Sequence, residues 1–266
     1  MLRTYSLREA DLLVTLFTRA EGKVRAVAKS AKRSRKRFGG ALEPLTLVRA
    51  LWAETPGSDL ARLDSCDVLL SPLSAALDYP RLVALSHVGE MLDELLPDRE
   101  PSDAVFRLAW AVLQALQSGP IWLPIAYFDL WMLRLLGFLP PLDECIECGE
   151  PLAGHPAYFH ALRDGLVCAR HRHVASSEMS AASRSLATTI FRNPVERVIE
   201  LASAELASAE LASAELAGAE LASAEQAGAE PLPANRLADV RKFLMQIIHR
   251  HLERKLQTFA QLDRLD

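Results

Sequence analysis

Four cysteines in 266 residues are too few for a disulfide scaffold. No stretch reaches the ~18 uncharged apolar residues of a membrane-crossing helix. The richest run, Ile121 to Pro141, is interrupted by Pro124, Asp129 and Arg134. The first ten residues carry Arg3, Arg8 and Glu9 and lack the apolar stretch of a secretory signal. A reducing cytoplasm is the expected compartment, where cysteines serve as thiols, catalysts or metal ligands. Also missing are a phosphate-binding P-loop, G-x-G-x-x-G, H-E-x-x-H, G-x-S-x-G and a carboxylate pair suited to two-metal nuclease chemistry. These gaps favour a binding protein over an enzyme, with an unrecognised nuclease as a rival.

Half of the chain is apolar and a quarter is charged, an ordinary globular composition. The net charge of −4 argues against nucleic acid only as an average. Residues 1–50 hold twelve Lys/Arg and four Asp/Glu, or +8; residues 51–266 hold eighteen and thirty, or −12. Lys23, Arg25, Lys29, Lys32, Arg33, Arg35, Lys36 and Arg37 follow one another with no acid between them. Such a run is either a solvated loop or a phosphate-contacting patch.

The acidic excess has a local source. Residues 201–230 read LASAE three times, then LAGAE, LASAE and QAGAE, giving six Glu and no base. Without them the chain carries thirty bases and twenty-eight acids. Local propensity is helical. A five-residue step, however, turns a helix by about 500°, so successive leucines wander around the axis and form no apolar face. An exposed helix or partly disordered insertion is expected, dispensable for folding and DNA binding.

Residues 1–75 read as a small β-barrel. Strands are expected at Leu12–Thr18, Val24–Lys29, Leu45–Trp52 and Leu60–Leu70, with turns between them. Tyr5, Phe17, Phe38 and Trp52 lie near the basic run and are either core or stacking platforms. From Tyr79 the apolar spacing becomes helical, as far as Pro97. Ser102 and Asp103 can cap a second helix, and Pro124 to Leu139 reads as a third, buried one. Trp110, Trp122 and Trp131 are read as core residues. After Pro231, Pro233 and Asn235, helical spacing runs from Leu237 through Leu256. Its other face carries Arg241, Lys242, Arg250, Arg254 and Lys255.

The most specific chemical signal is Cys145-Ile-Glu-Cys148-Gly149, followed by Cys168-Ala-Arg-His171. Two short knuckles, each supplying two thiolate or imidazole ligands, suit tetrahedral zinc. A full set of four leaves no open position for water, so the metal is structural. His173 competes with His171 for the fourth place, His155 and His160 lie in the intervening loop, and Cys66 reads as a buried thiol. A redox pair is the other reading of Cys145 and Cys148.

The order of parts resembles the RecO family of bacterial recombination mediators. The matching segments are READLLVTLFTRAEGKVRAVAKSAKR with GGALEPLTLV, then LLGFLPPLDECIECG, then HRHLERKLQTFAQL. The resemblance implies an α+β protein: an N-terminal OB-fold barrel (1–75), then an all-α domain (76–266) containing a zinc element (143–175) and the pentad insertion (201–230). It implies no turnover, one structural zinc on Cys145, Cys148, Cys168 and His171, and DNA contacts from Lys29, Lys32, Arg33, Arg35, Lys36 and Arg37. It further implies binding of single- and double-stranded DNA and annealing of complementary strands. With RecR it implies loading of RecA, indirectly, onto strands coated by single-strand-binding protein, whose acidic tail would dock on the helical part. The expected location is cytoplasmic and nucleoid-associated. The chain starts closer to its first strand than is usual for the family. His171 stands where many relatives have cysteine, and the pentads are foreign to the pattern. The competing reading is a zinc-containing protein-interaction scaffold without direct DNA binding.

Overall fold

The computed structural model describes residues 1–72, 77–205, 233–252 and 255–265. It is a mixed α+β chain with two compact units, residues 1–121 with 254–266, and residues 122–253. The first pentad lies in a helix; residues 206–230, the rest of the repeat, lie outside the described residues.

The first unit is built on five strands: β1 (Arg3–Ser6), β2 (Leu12–Thr18), β3 (Gly22–Ala28), β4 (Leu47–Ala53) and β5 (Ala61–Leu70). Their order is β1-β2-β3-β5-β4. β2 and β3 form a hairpin whose register joins Leu12 to Ala28 and Thr18 to Gly22. β3 alternates buried and more exposed positions, so Val24, Ala26 and Ala28 face the core beside Val14, Leu16 and Leu63. β3 and β5 pair in parallel through Ala26–Ala28 and Ala61–Leu63, and the other ladders are antiparallel.

Among the described residues the sheet does not close into the expected barrel, because β1 and β4 are not neighbours. The reason lies in β1, four residues long and absent from the strands read in the sequence. The segment before β4 meets its start instead. Leu45 N–H donates to the Met1 carbonyl (2.7 Å), the Met1 nitrogen donates to the Thr46 carbonyl (3.0 Å), and the Thr4 hydroxyl donates to the Leu42 carbonyl (2.9 Å).

Three long helices follow. α2 spans Tyr79–Leu95, with the Asp78 carboxylate accepting from Arg81 N–H (2.9 Å). α3 spans Asp103–Ala115, and the Ser102 hydroxyl accepts from Val105 N–H (3.3 Å), so the expected cap forms. α4, Trp122–Leu135, opens the second unit and is buried around most of its surface, as its all-round hydrophobicity predicts. In a two-stranded ribbon, β6 (Ala157–Phe159) lies between the two cysteine knuckles and β7 (Ser177–Met179) follows the second. α5 (Ala181–Arg192), capped by Ser180, and α6 (residues 195–205) come next. The helix α7 covers Pro233–His251 and buries Val240, Phe243, Leu244, Ile247 and Ile248. No helix among the described residues is long and apolar enough to cross a membrane.

Two expectations need correction here. The last helical run does not continue through Leu256: α7 stops at His251, and Leu256 becomes the N-cap of α8 (Gln257–Leu262). The apolar positions on either side of the break serve different cores. Val240 to Ile248 belong to the second unit, whereas Phe259 and Leu262 belong to the first. The tryptophans at 110, 122 and 131 are half-buried rather than fully buried.

Candidate nucleic-acid face and candidate metal centre

Lys23 and Arg25 of the basic run lie in β3 and pair with Asp98; the rest, from Lys29 on, forms the loop between β3 and β4, with short turns at Ala31–Arg33 and at α1 (Arg35–Phe38). It is braced from behind. Phe38 is buried in the sheet's core. Asp11 accepts from Ser30 N–H (2.8 Å), which holds Ser30 in the left-handed region at φ 55°, and Lys32 N–H donates to the Ala10 carbonyl (3.1 Å).

The six candidate side chains divide by what they touch. Arg37 is half-buried; it donates to the Lys29 carbonyl (2.6 Å) and the Ser34 hydroxyl (3.1 Å) and lies over the Phe38 ring (4.8 Å). Arg33 meets Glu9 (3.3 Å) and Lys32 Nζ donates to the Arg8 carbonyl (3.3 Å). Lys29, Arg35 and Lys36 are exposed, and among the described residues none of them has an ion-pair partner. Of the nearby rings, Phe17 and Phe38 are core, Trp52 is half-buried and Tyr5 is exposed beside Arg3.

The second cluster lies in the second unit. The Sγ atoms of Cys145, Cys148 and Cys168 and one ring nitrogen of His171 lie within 4.8 Å of one another. His171 Nδ1 is 3.6 Å from Cys145 Sγ and 3.3 Å from Cys168 Sγ. A tetrahedral ion with bonds of about 2.3 Å to sulfur and 2.0–2.1 Å to nitrogen separates those ligands by about 3.6 Å. The donor set therefore fits a four-coordinate metal. His171, carried by the short turn Ala169–His171, supplies the nitrogen, while His160 and His173 pair with each other outside the cluster, ring centroids 4.9 Å apart.

Local backbone geometry explains why the sulfurs converge. Gly149, at φ +69°, allows its N–H to return to the Cys145 carbonyl (2.7 Å), closing the first knuckle. Burial pushes the Cys145 thiol up, but N–H groups of Cys168, Glu147 and Cys148 outweigh it and hold it at about 7. At Cys168, N–H groups of Arg170 and His171 likewise outweigh burial and lower the thiol. Cys66 behaves differently: burial raises its thiol to about 11, so it is inert.

One supporting residue escaped the sequence reading. Arg184 of α5 is buried and donates to the carbonyls of Leu152 (3.2 Å), Ala153 (2.7 Å) and His155 (2.6 Å), tying the loop after the first knuckle to the helix. No local pattern distinguishes it from a surface arginine. The basic side of α7 is also more engaged than its sequence suggests. Arg241 lies 3.7 Å from the centroid of the Trp122 ring, and Arg250 pairs with Asp164 (3.2 Å). Lys242 and Lys255 are exposed, and Arg254 lies outside the described residues.

A five-stranded sheet with a braced basic loop, followed by helices around a three-cysteine, one-histidine cluster, defines the class. Residues 1–72 match the family model "Recombination protein O N terminal" and residues 76–212 match "Recombination protein O C terminal". The chain is 54% identical over 266 residues to the DNA repair protein RecO of Koribacter versatilis (strain Ellin345), covering 100% of this chain and 97% of that one. It is 42% identical over 171 residues to the DNA repair protein RecO of Anaeromyxobacter sp. (strain K), covering 64% and 67% of the two chains. With that of Thermobifida fusca (strain YX) the identity is 35% over 201 residues, covering 74% and 81%. The chain belongs to the RecO family.

Proposed function

We propose that the protein is a cytoplasmic mediator of DNA repair and homologous recombination rather than a catalyst of turnover. It binds single- and double-stranded DNA, anneals complementary strands, and acts with RecR to help RecA replace single-strand-binding protein. The observation that carries this reading is the basic loop: Lys29, Arg35 and Lys36 are exposed, without acid partners among the described residues, on a loop anchored by Phe38 and Asp11. Such a loop gains affinity from counterion release when it meets phosphates. Charge neutralised on one strand lowers the repulsion that opposes pairing with a second. Lys32, Arg33 and Arg37 add charge and hold the loop's shape, and the sheet takes the place of an OB-type barrel.

Cys145, Cys148, Cys168 and His171 would hold one structural zinc. Bound there, zinc cross-links two knuckles nineteen residues apart in the chain and offers no open position to substrate. The helical part is the expected dock for the acidic tail of single-strand-binding protein.

The test is anisotropy on a labelled single strand, over a salt series, with Lys29, Arg35 and Lys36 replaced together by Ala. Each phosphate contact contributes about 0.7 to the single-strand salt slope, so the triple variant should lower the slope by about 2 and weaken binding. The same variant should slow annealing of strands precoated with single-strand-binding protein. Unchanged affinity and slope would sink the patch and favour a scaffold that binds protein partners only.

A further inference from the structure

The second unit carries a groove of about 760 Å³ between the end of α4, the segment 139–143 and one side of α5. Ala181, Ser185, Thr188 and Arg192 line it at spacings of four, three and four, the signature of one helix face. At its mouth Arg134 is stacked. Its guanidinium lies 4.5 Å from the Phe191 ring centroid and 5.4 Å from that of Trp131, and those two rings pack edge to face at 5.2 Å. Arg134 and Arg192 are both exposed, and among the described residues neither is ion-paired. Their neighbours in the same unit are treated differently. Arg163, Arg170, Arg197, Arg236 and Arg250 each sit against a carboxylate, Arg172 lies over the Tyr158 ring and Arg184 is bonded to backbone carbonyls. Two arginines left unpaired, beside one groove, invite a ligand that supplies negative charge.

We infer that this groove holds a nucleic-acid strand, separately from the basic loop of the first unit. The exposed Arg134 guanidinium, seated over Phe191 and beside Trp131, offers a planar cation against which a base can stack. Arg192 and the Ser185 hydroxyl are placed for the sugar–phosphate backbone, and the small side chains of Ala181 and Thr188 leave room along the floor. Arg134, Arg184 and Arg192 outnumber Asp143 on this lining, an excess of two positive charges that attracts any polyanion. The aromatic-backed Arg134 favours a strand over an acidic peptide, because a strand adds base stacking to the charge attraction. The inference rests on the nucleic-acid reading above and adds to it a position for a second strand, which annealing requires.

The experiment compares the full chain with Arg134→Glu/Arg192→Glu in two assays, single-strand affinity and annealing of labelled complementary oligonucleotides. The expected result is single-strand affinity within about twofold and annealing slowed about tenfold, because the basic loop still captures the first strand. Circular dichroism checks the fold, and Arg134→Lys, which keeps the charge and loses the plane, should fall between. Independently of any variant, a strand carrying bromodeoxyuridine should photo-cross-link to peptides from 131–134 or 185–192 of the unmodified protein. Cross-links confined to residues 29–38 would overturn the inference. So would full annealing by the double variant, or its loss of an acidic peptide with annealing intact. If the unmodified protein neither binds nor anneals DNA, the underlying reading fails and this inference goes with it.

Discussion

Lys36 and Arg37 are adjacent and both cationic, yet they have different work. Arg37 spends its donors on the Lys29 carbonyl and Ser34 hydroxyl, whereas Lys36 is exposed and has no partner among the described residues. Arg37→Ala should therefore cost about 1 kcal/mol of stability, the worth of a lost hydrogen-bonded brace, while Lys36→Ala changes stability little and DNA affinity more. Urea unfolding beside a binding titration separates the two. Arg184 is the stronger case. Replacing it with Met keeps volume but leaves the carbonyls of Leu152, Ala153 and His155 without their donor, an expected loss of about 2–4 kcal/mol. Full stability in that variant would show that water or a neighbour replaces the guanidinium. The four candidate ligands were legible because knuckle spacing is a local property. Arg184 was not, since its partners lie some thirty positions away.

At the scale of elements, α8 is held by a carboxylate from another helix. Glu90 of α2 accepts from Gln257 N–H (2.9 Å), Thr258 N–H (2.9 Å) and the Thr258 hydroxyl (2.6 Å). Burial alone would raise its pKa, but these donors outweigh burial and lower it below the ordinary 4.5. A lowered folded pKa means that the stabilisation is fully present above the unfolded value. It is lost as pH falls from there through the folded value. Glu90→Gln should thus cost stability at pH 7 and much less at pH 3, as read from melting temperatures at both. At Gly22, the entry to β3, φ is +67° and an added Cβ would lie 2.2 Å from the Glu100 carbonyl oxygen. Gly22→Ala should destabilise by at least about 2 kcal/mol, from backbone strain plus displacement of the 98–100 loop. Strand β2 matched its reading residue for residue because Leu12–Thr18 is a largely apolar run in which Val14, Thr15, Phe17 and Thr18 favour a strand. β1 (RTYS) has no such run and is a strand because β2 offers it a ladder. α5 was missed for a related reason: AASRSLATTIFR averages no hydrophobicity, and its packing on α7 makes the helix.

At the scale of the molecule, the charge of −4 is a sum over parts with opposite roles, and the basic loop and the pentads lie far apart in sequence. Metal removal should act just as locally. A chelator, or Cys148→Ser, should expose residues 145–171 to protease while the sheet around Val14, Val24 and Leu63 stays protected. Limited proteolysis with peptide mapping reads this out, and loss of protection throughout the sheet would contradict it. Single-strand binding at the basic loop should survive the same treatment.

The composition of the first unit has a consequence for how the chain is made. Residues 1–121 are joined there by residues 254–266, and Leu256, Phe259 and Leu262 are buried. During synthesis, the α2 surface that receives α8 waits while residues 122–253 are translated. At about 5–20 residues per second, those 132 residues take roughly 7–26 s. For that interval a nascent sheet with helices attached carries an uncovered apolar face, and a holdase chaperone has time to occupy it. Ribosome-bound chains halted just before residue 256 should bind such a chaperone, and full-length chains released from the ribosome should not.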